Sequence, residues 1–396
     1  MRNQGAYTAG TLYCEALPPV RLVTNVDCVH LMRIAQVAPL YESVPPTLYG
    51  GTERVVSWLT EELVRLGHEV TLFASGDSLT MARLVPGCKR ALRLDPDCVD
   101  QMAHHIVMLD KVFSESSDFD LIHFHVDYLH FPMSRLVGAR HVTTLHGRLD
   151  LPDLIPVYQR FPEMPVISIS DSQRRPLPNA NWQGTVHHGL PRKSFSLGSG
   201  SGGYLVFLGR TSPEKGLDQA IEIAKRAGMP LKIAAKIDRA DVQYFETVIK
   251  PLLDHPLIEF IGELGYPEKN EFLGNAAGLL FPIDWHEPFG LVMIEAMACG
   301  TPVVAYRLGS VPEVMKDHVT GFIVADQEHA VQAVGRLGEI DRSKCRKYFE
   351  THFDARRMAL DYLQIYQRIV RKEPQTPVLS EGVPNWMKLV TPGNTT

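Results

Sequence analysis

The chain has 396 residues, 45% of them hydrophobic and 21% charged, with a formal net charge of −5. That length accommodates two domains, each with its own core, and a mildly acidic balance argues against nucleic acid or an anionic membrane as partner. Cys14, Cys28, Cys88, Cys98, Cys299 and Cys345 follow no C-x-x-C spacing, which fits reduced thiols in a cytoplasmic protein better than disulfides or zinc.

Residues 1–31 lack a basic start followed by an apolar run, so they read as a flexible extension rather than a signal peptide. The folded pattern begins at Met32 with a short apolar strand at 33–38, and no stretch reaches the length of a membrane span. A loop over 39–51 carries Gly50 and Gly51, whose missing side chains let backbone approach a ligand; an ordinary turn is the equal alternative. Thr52 is the expected N-cap of a helix over 52–66, with Val55, Val56, Leu59, Leu63 and Leu66 near helical spacing. Further strands are expected at 68–74, 121–125, 141–145, 166–170 and 185–187. His146 directly follows the strand at 141–145 in TTLHGR. His123 and His125 alternate along a strand and therefore share one face, as packing or as a ligand-facing wall; with His130 and His141 nearby, a metal site is the weaker alternative. Asp118-Phe-Asp120 matches a D-x-D metal motif but lies ahead of a strand, where an exposed acidic turn is the simpler reading.

Residues 194–203, SFSLGSGSGG, read as a flexible linker. The G-x-G-x-x-G at Gly198, Gly200 and Gly203 is set aside as a dinucleotide fingerprint because it precedes a strand instead of following one. A second alternating set follows, with strands at 204–209, 231–235, 258–262, 278–282 and 302–306 and a helix at 216–227. Repeated strand–helix alternation implies parallel sheets covered on both faces, with ligand in the cleft at the carboxyl ends of the strands. The first strand of this set runs into GRTSPEKG, where Arg210, Lys215 and a helix N-terminus suit a diphosphate; a solvated Lys-Glu turn is the alternative. Lys236 follows strand 231–235 and reaches either phosphate or solvent. The stretch 285–306, WHEPFGLVMIEAMACGTPVVAY, holds a short apolar helix with one acid, Glu295, in its middle and another, Glu287, just before its N-terminus. A buried acid needs a partner, since leaving it without one costs several kcal/mol. The final helix, 354–371, presents Met358, Tyr362, Ile365, Tyr366 and Ile369 on one face, and 372–396 is a tail that turns rich in Pro, Ser and Gly after Glu373 and is expected to fray.

The string from Glu287 to Glu295, together with GRTSPEKG, resembles the signature of retaining, nucleotide-sugar-dependent glycosyltransferases of family 4. The resemblance spans 32–371 and implies the α/β GT-B fold, two Rossmann-like domains facing a cleft. Residues 32–193 would form the acceptor domain, 194–203 the linker, 204–353 the donor domain, and 354–371 a helix crossing back to the first domain. By the same resemblance Glu287 lies against the donor sugar and Glu295 holds the ribose. The amides of Phe289, Gly290 and Leu291 face the diphosphate, Arg210 and Lys215 neutralise it, and His146 faces the reacting sugar beside the Gly50-Gly51 loop. The implied activity is retaining hexosyl transfer from a nucleoside-diphosphate sugar, UDP-glucose first among donors, to a hydroxyl of a soluble acceptor. No cofactor or metal is expected, and no strong membrane association. A non-catalytic sugar-nucleotide-binding protein would keep the same binding residues. A nicotinamide-dependent oxidoreductase is less compatible, because the loop after the first strand lacks the glycine fingerprint.

Overall fold

The computed structural model describes residues 31–371; the extension expected over 1–31, Leu31 apart, and the tail over 372–396 lie outside them. Seven parallel strands, Arg33–Val37 (β1), Glu69–Ser75 (β2), Arg83–Cys88 (β3), Leu121–Phe124 (β4), His141–Thr144 (β5), Val166–Ser168 (β6) and Trp182–Thr185 (β7), form one sheet in the order β3-β2-β1-β4-β5-β6-β7. Six more, Leu205–Arg210 (β8), Leu231–Lys236 (β9), Ile258–Gly262 (β10), Gly278–Phe281 (β11), Val303–Tyr306 (β12) and Gly321–Val324 (β13), form a second in the order β10-β9-β8-β11-β12-β13. In each sheet the chain starts in the middle and reverses direction beside its first strand, which opens a crevice at the strands' carboxyl ends. The α/β architecture of two Rossmann-like halves is therefore present.

Four local expectations are corrected. The first helix runs Gly51–Arg65 with Gly50 as its N-cap, so Thr52 lies inside it. Gly50 adopts φ 148, and a Cβ there would come within 2.8 Å of Pro46, a geometry only glycine supports. The strand expected at 185–187 is instead Trp182–Thr185. Strands β3 and β13 were not expected. Both are edges, where the Pro86 and Gly87 of β3 are tolerated because no neighbour requires their ladder bonds on the outer side.

The segment expected to be a flexible linker is docked. The amides of Gly198, Gly200 and Gly202 donate to the carbonyls of Cys299, Gly274 and Asn275 at 2.9, 3.0 and 2.9 Å. Arg342 donates to the carbonyls of Gly198, Ala276 and Gly274 at 3.1, 3.0 and 2.9 Å, riveting the segment from behind. A Cβ at Gly198 would sit 2.1 Å from the Gly274 carbonyl oxygen, so this glycine serves close backbone approach, not freedom.

The final helix, Ala355–Arg371, packs against the first helix and the β1–β7 sheet. Asp354 caps it by accepting from the Arg356 amide at 2.7 Å. Met358, Tyr362, Ile365 and Tyr366 are buried, each stabilising the docking by roughly 1.5–3 kcal/mol. The chain crosses between the halves twice, at Leu190 and at Asp354, and these crossings bond each other through Leu190 to Phe353 at 2.9 Å and Ala355 to Leu190 at 3.0 Å. A second tie is polar: the Glu313 carboxylate accepts from the amides of Asp171 and Ser172, both at 2.7 Å, at the start of the short helix Asp171–Arg174.

Candidate active site

Between the halves lies a cavity of about 480 Å³ lined by the ends of both sheets. Every residue that the resemblance assigns to the site reaches it: Gly50, Gly51 and His146 from the first half, Arg210 and Lys215 from the second, and Glu287, Phe289, Gly290, Leu291 and Glu295 from the segment after β11.

The donor-side wall is built by two loops at strand ends. Arg210 closes β8, and its guanidinium holds Glu214 at 2.8 Å and Ser212 Oγ at 3.3 Å. Lys215 ends the next turn; its ammonium sits on the Glu287 carboxylate and 4.9 Å from the centre of the Trp285 ring. Trp285 Nε1 also donates to Glu287 at 3.1 Å. Gly290 turns the chain with φ 77 into the helix Leu291–Ala298, whose first amides have no side-chain cap. A Cβ on Gly290 would press 2.8 Å from Met293 and 3.0 Å from Phe281. Ser310 fixes the turn from below, its hydroxyl donating to the Phe289 carbonyl at 2.8 Å and its amide to the Glu287 carbonyl at 3.0 Å.

The partner required by the mid-helix acid is Lys269, which bonds the two Glu295 oxygens at 3.2 and 3.3 Å from the helix Tyr266–Gly274. No sequence motif marks Lys269, because the pairing joins residues on two separate helices. Lys236 also lines the cavity, its ammonium 5.0 Å from the Tyr49 ring that reaches over from the first half.

On the opposite wall His146 Nε2 lies 2.9 Å from His125 Nδ1, and its ring stacks on His188 with centroids 5.4 Å apart. Both nitrogens of His146 are enclosed while the ring edge faces the cavity, and burial lowers its pKa to about 3. His188, itself on the cavity wall and in edge contact with Phe289 at 4.8 Å, escaped sequence reading. Its position after a strand end, like that of His146, was the available signal. Glu53 is buried at the start of the first helix, and desolvation pushes its pKa up to about 7.

The remaining histidines and the D-x-D pair lie elsewhere. His130 is stacked on Phe124 and bonded to Ser134 and Thr143, each at 2.7 Å. His141 Nδ1 faces the Ala139 carbonyl at 2.8 Å. Asp120 is held by Arg33, through its amide at 2.8 Å and its guanidinium at 3.0 Å, at the amino end of the sheet and away from the cavity. Among the described residues no three His, Cys, Asp or Glu side chains are arranged to hold a metal ion, and no helix is long and apolar enough to cross a membrane.

Two facing Rossmann-like halves with a charged cleft at the strands' carboxyl ends define the GT-B fold. Family comparison agrees: the model for glycosyl transferases group 1 matches residues 192–350 and that for glycosyltransferase family 4 matches residues 49–177. The chain belongs to glycosyltransferase family 4, which sets aside the nicotinamide-dependent alternative. It is 31% identical over 223 residues to a D-inositol 3-phosphate glycosyltransferase of Salinispora arenicola, covering 51% of this chain and 49% of that one. The chain thus spans about half the length of that relative. Sucrose-phosphate synthase from Thermosynechococcus elongatus superposes with a TM-score of 0.68 at 19% identity, over 85% of this chain and 98% of the other. The Anabaena protein HepE, solved in complex with UDP-glucose, superposes with a TM-score of 0.61 at 17% identity, again over 85% and 98%.

Proposed function

We propose that the protein is a retaining hexosyltransferase that moves a sugar from a nucleoside diphosphate to a hydroxyl acceptor without a metal ion, with UDP-glucose as first donor. The observation that carries this reading is the convergence of Arg210, Lys215 and the uncapped start of the helix Leu291–Ala298 at the carboxyl ends of β8 and β11. Two cations and free amides suit a diphosphate, and they gain strength as negative charge builds on it during bond cleavage. Glu287, carried on the same loop, takes the role of donor-sugar contact, and Glu295 that of ribose contact. In the free protein each of the four charged groups already has a protein partner, so donor binding exchanges ion pairs instead of desolvating bare charges. Glu295 on Lys269 and Glu287 on Lys215 support binding roles over those of a glycosidase's acid and nucleophile. The resemblance to family 4 points to front-face substitution, with the leaving oxygen helping to deprotonate the acceptor. The relative solved with UDP-glucose supports the choice of donor.

The test is a thermal-shift screen with UDP-, GDP- and ADP-sugars, followed by product analysis. A donor at 100 times its dissociation constant adds about 2.7 kcal/mol of stability. The expected result is stabilisation by a UDP-sugar and a product that keeps the donor's anomeric configuration. Stabilisation with no transfer to any acceptor would identify a sugar-nucleotide-binding protein, and an inverted product would overturn the retaining assignment.

A further inference from the structure

We infer that Gln36, His125 and Tyr366 are positioning residues for His146: a buried chain of hydrogen bonds from the crossing helix fixes which nitrogen of His146 carries the proton. This rests on the reading of His146 as the histidine of the reacting centre.

The chain can be followed atom by atom. Thr144 Oγ1 donates to Tyr362 Oη at 3.1 Å, so it accepts from His123 Nε2 at 2.7 Å. His123 Nδ1 is then an acceptor and takes the Tyr366 hydroxyl proton at 2.6 Å. Tyr366 in turn accepts from Gln36 Nε2 at 3.3 Å, which leaves Gln36 Oε1 to accept from His125 Nε2 at 2.8 Å. His125 Nδ1 is therefore an acceptor, and His146 must donate to it through Nε2–H. His146 Nδ1 is left as an enclosed lone pair with no protein partner, on a ring that lines the cavity.

Gln36, His123, Thr144, Tyr362 and Tyr366 are fully buried at 0% exposure and His125 is at 2%. Apolar groups of the same shape would fill this space with no hydrogen bonds to satisfy. A satisfied polar chain in the core instead makes a unique arrangement, since each member sets the donor role of the next. Its open end is at the cavity. The titratable or charged groups around the two rings are His123 and Tyr366 in the chain, His188 stacked on His146, Arg357 behind His188, and Asp127 and Glu287 on the shared cavity. Burial keeps His125 well below its usual range, consistent with neutral rings throughout the chain.

The experiment uses the full chain labelled with nitrogen-15 at histidine, as wild type, Gln36→Leu, Gln36→Glu and Tyr366→Phe, with imidazole tautomers read by NMR and steady-state kinetics measured alongside. His125 and His146 are expected as neutral Nε2–H tautomers in the wild type down to pH 5. Gln36→Leu should release both from that tautomer and lower kcat on the order of a hundredfold with donor KM unchanged. Gln36→Glu still accepts from His125 Nε2–H, so it should restore the tautomer and much of kcat while moving the acid limb of the pH–rate profile upward, as a new anion favours imidazolium. Tyr366→Phe provides the second break if Gln36→Leu does not fold. An Nδ1–H tautomer for His146 in the wild type, or wild-type kcat in a folded Gln36→Leu, would overturn the inference. The tautomer measurement needs no substrate. Failure to transfer any sugar would therefore strike the functional reading alone.

Discussion

Replacing Lys269 by methionine isolates the charge that the donor half encloses most closely around Glu295. The ammonium stands 3.2 and 3.3 Å from the two carboxylate oxygens. At an effective dielectric of about 20 that attraction is roughly 5 kcal/mol gross, much of it offset by desolvation of both groups. Removing the lysine leaves a carboxylate whose side chain is 4% exposed with no direct partner. Breaking such a pair typically costs 3–5 kcal/mol. Arg54, whose field also reaches Glu295, moderates the loss, so about 3 kcal/mol is expected. Glu295→Gln should cost less, roughly 1 kcal/mol, because an ammonium on a flexible stem can turn toward cavity water. In the double variant Lys269→Met/Glu295→Gln no charge is stranded, and it should be more stable than Lys269→Met alone. Equilibrium urea unfolding of the three variants supplies the cycle. A Lys269→Met cost below about 0.5 kcal/mol, or strict additivity of the two single changes, would refute the enclosed pair and with it the account of why a carboxylate is tolerated inside an apolar helix.

Glu53 provides a pH test. Its folded pKa of about 7 exceeds the usual 4.5, so the native state holds the extra proton between those values and its contribution to stability falls as pH rises through that window. Glu53→Gln should flatten this dependence between pH 5 and 8 and be more stable than wild type at pH 8 by roughly 2–3 kcal/mol; equal slopes in urea unfolding would contradict it. Lys215→Ala and Arg210→Ala should each lower turnover on the order of a hundred- to a thousandfold while weakening intact donor binding far less, and near-normal turnover in both would remove them from the site. Glu287→Gln should mainly lower kcat, and Glu295→Gln should mainly raise the dissociation constant for UDP; the assigned roles fail if only donor affinity changes in both. Turnover should survive exhaustive chelation, and strict dependence on added magnesium or manganese would overturn the metal-free mechanism.

The sequence alone specified the elements whose causes are local. Strand–helix alternation, glycine and proline punctuation around Glu287–Glu295, and cations at a strand's end are short-range patterns, and each led to the same cavity. Edge strand β3 escaped because Pro86 and Gly87 break the local pattern, and only its pairing with β2 makes it a strand. The 194–203 segment looked free because its composition records backbone permissiveness, whereas its carbonyl and amide partners come from residues 274, 275, 299 and 342. Glu295 announced that it needed a partner but not which one. The role of Gln36 was invisible for the same reason, since Tyr366 lies 330 residues away in the chain. Periodicity tells a residue which face it occupies. Which distant side chain meets it there is decided by helix docking and sheet order, so the ion pairs and the histidine chain that tune the cleft became legible only in the folded protein.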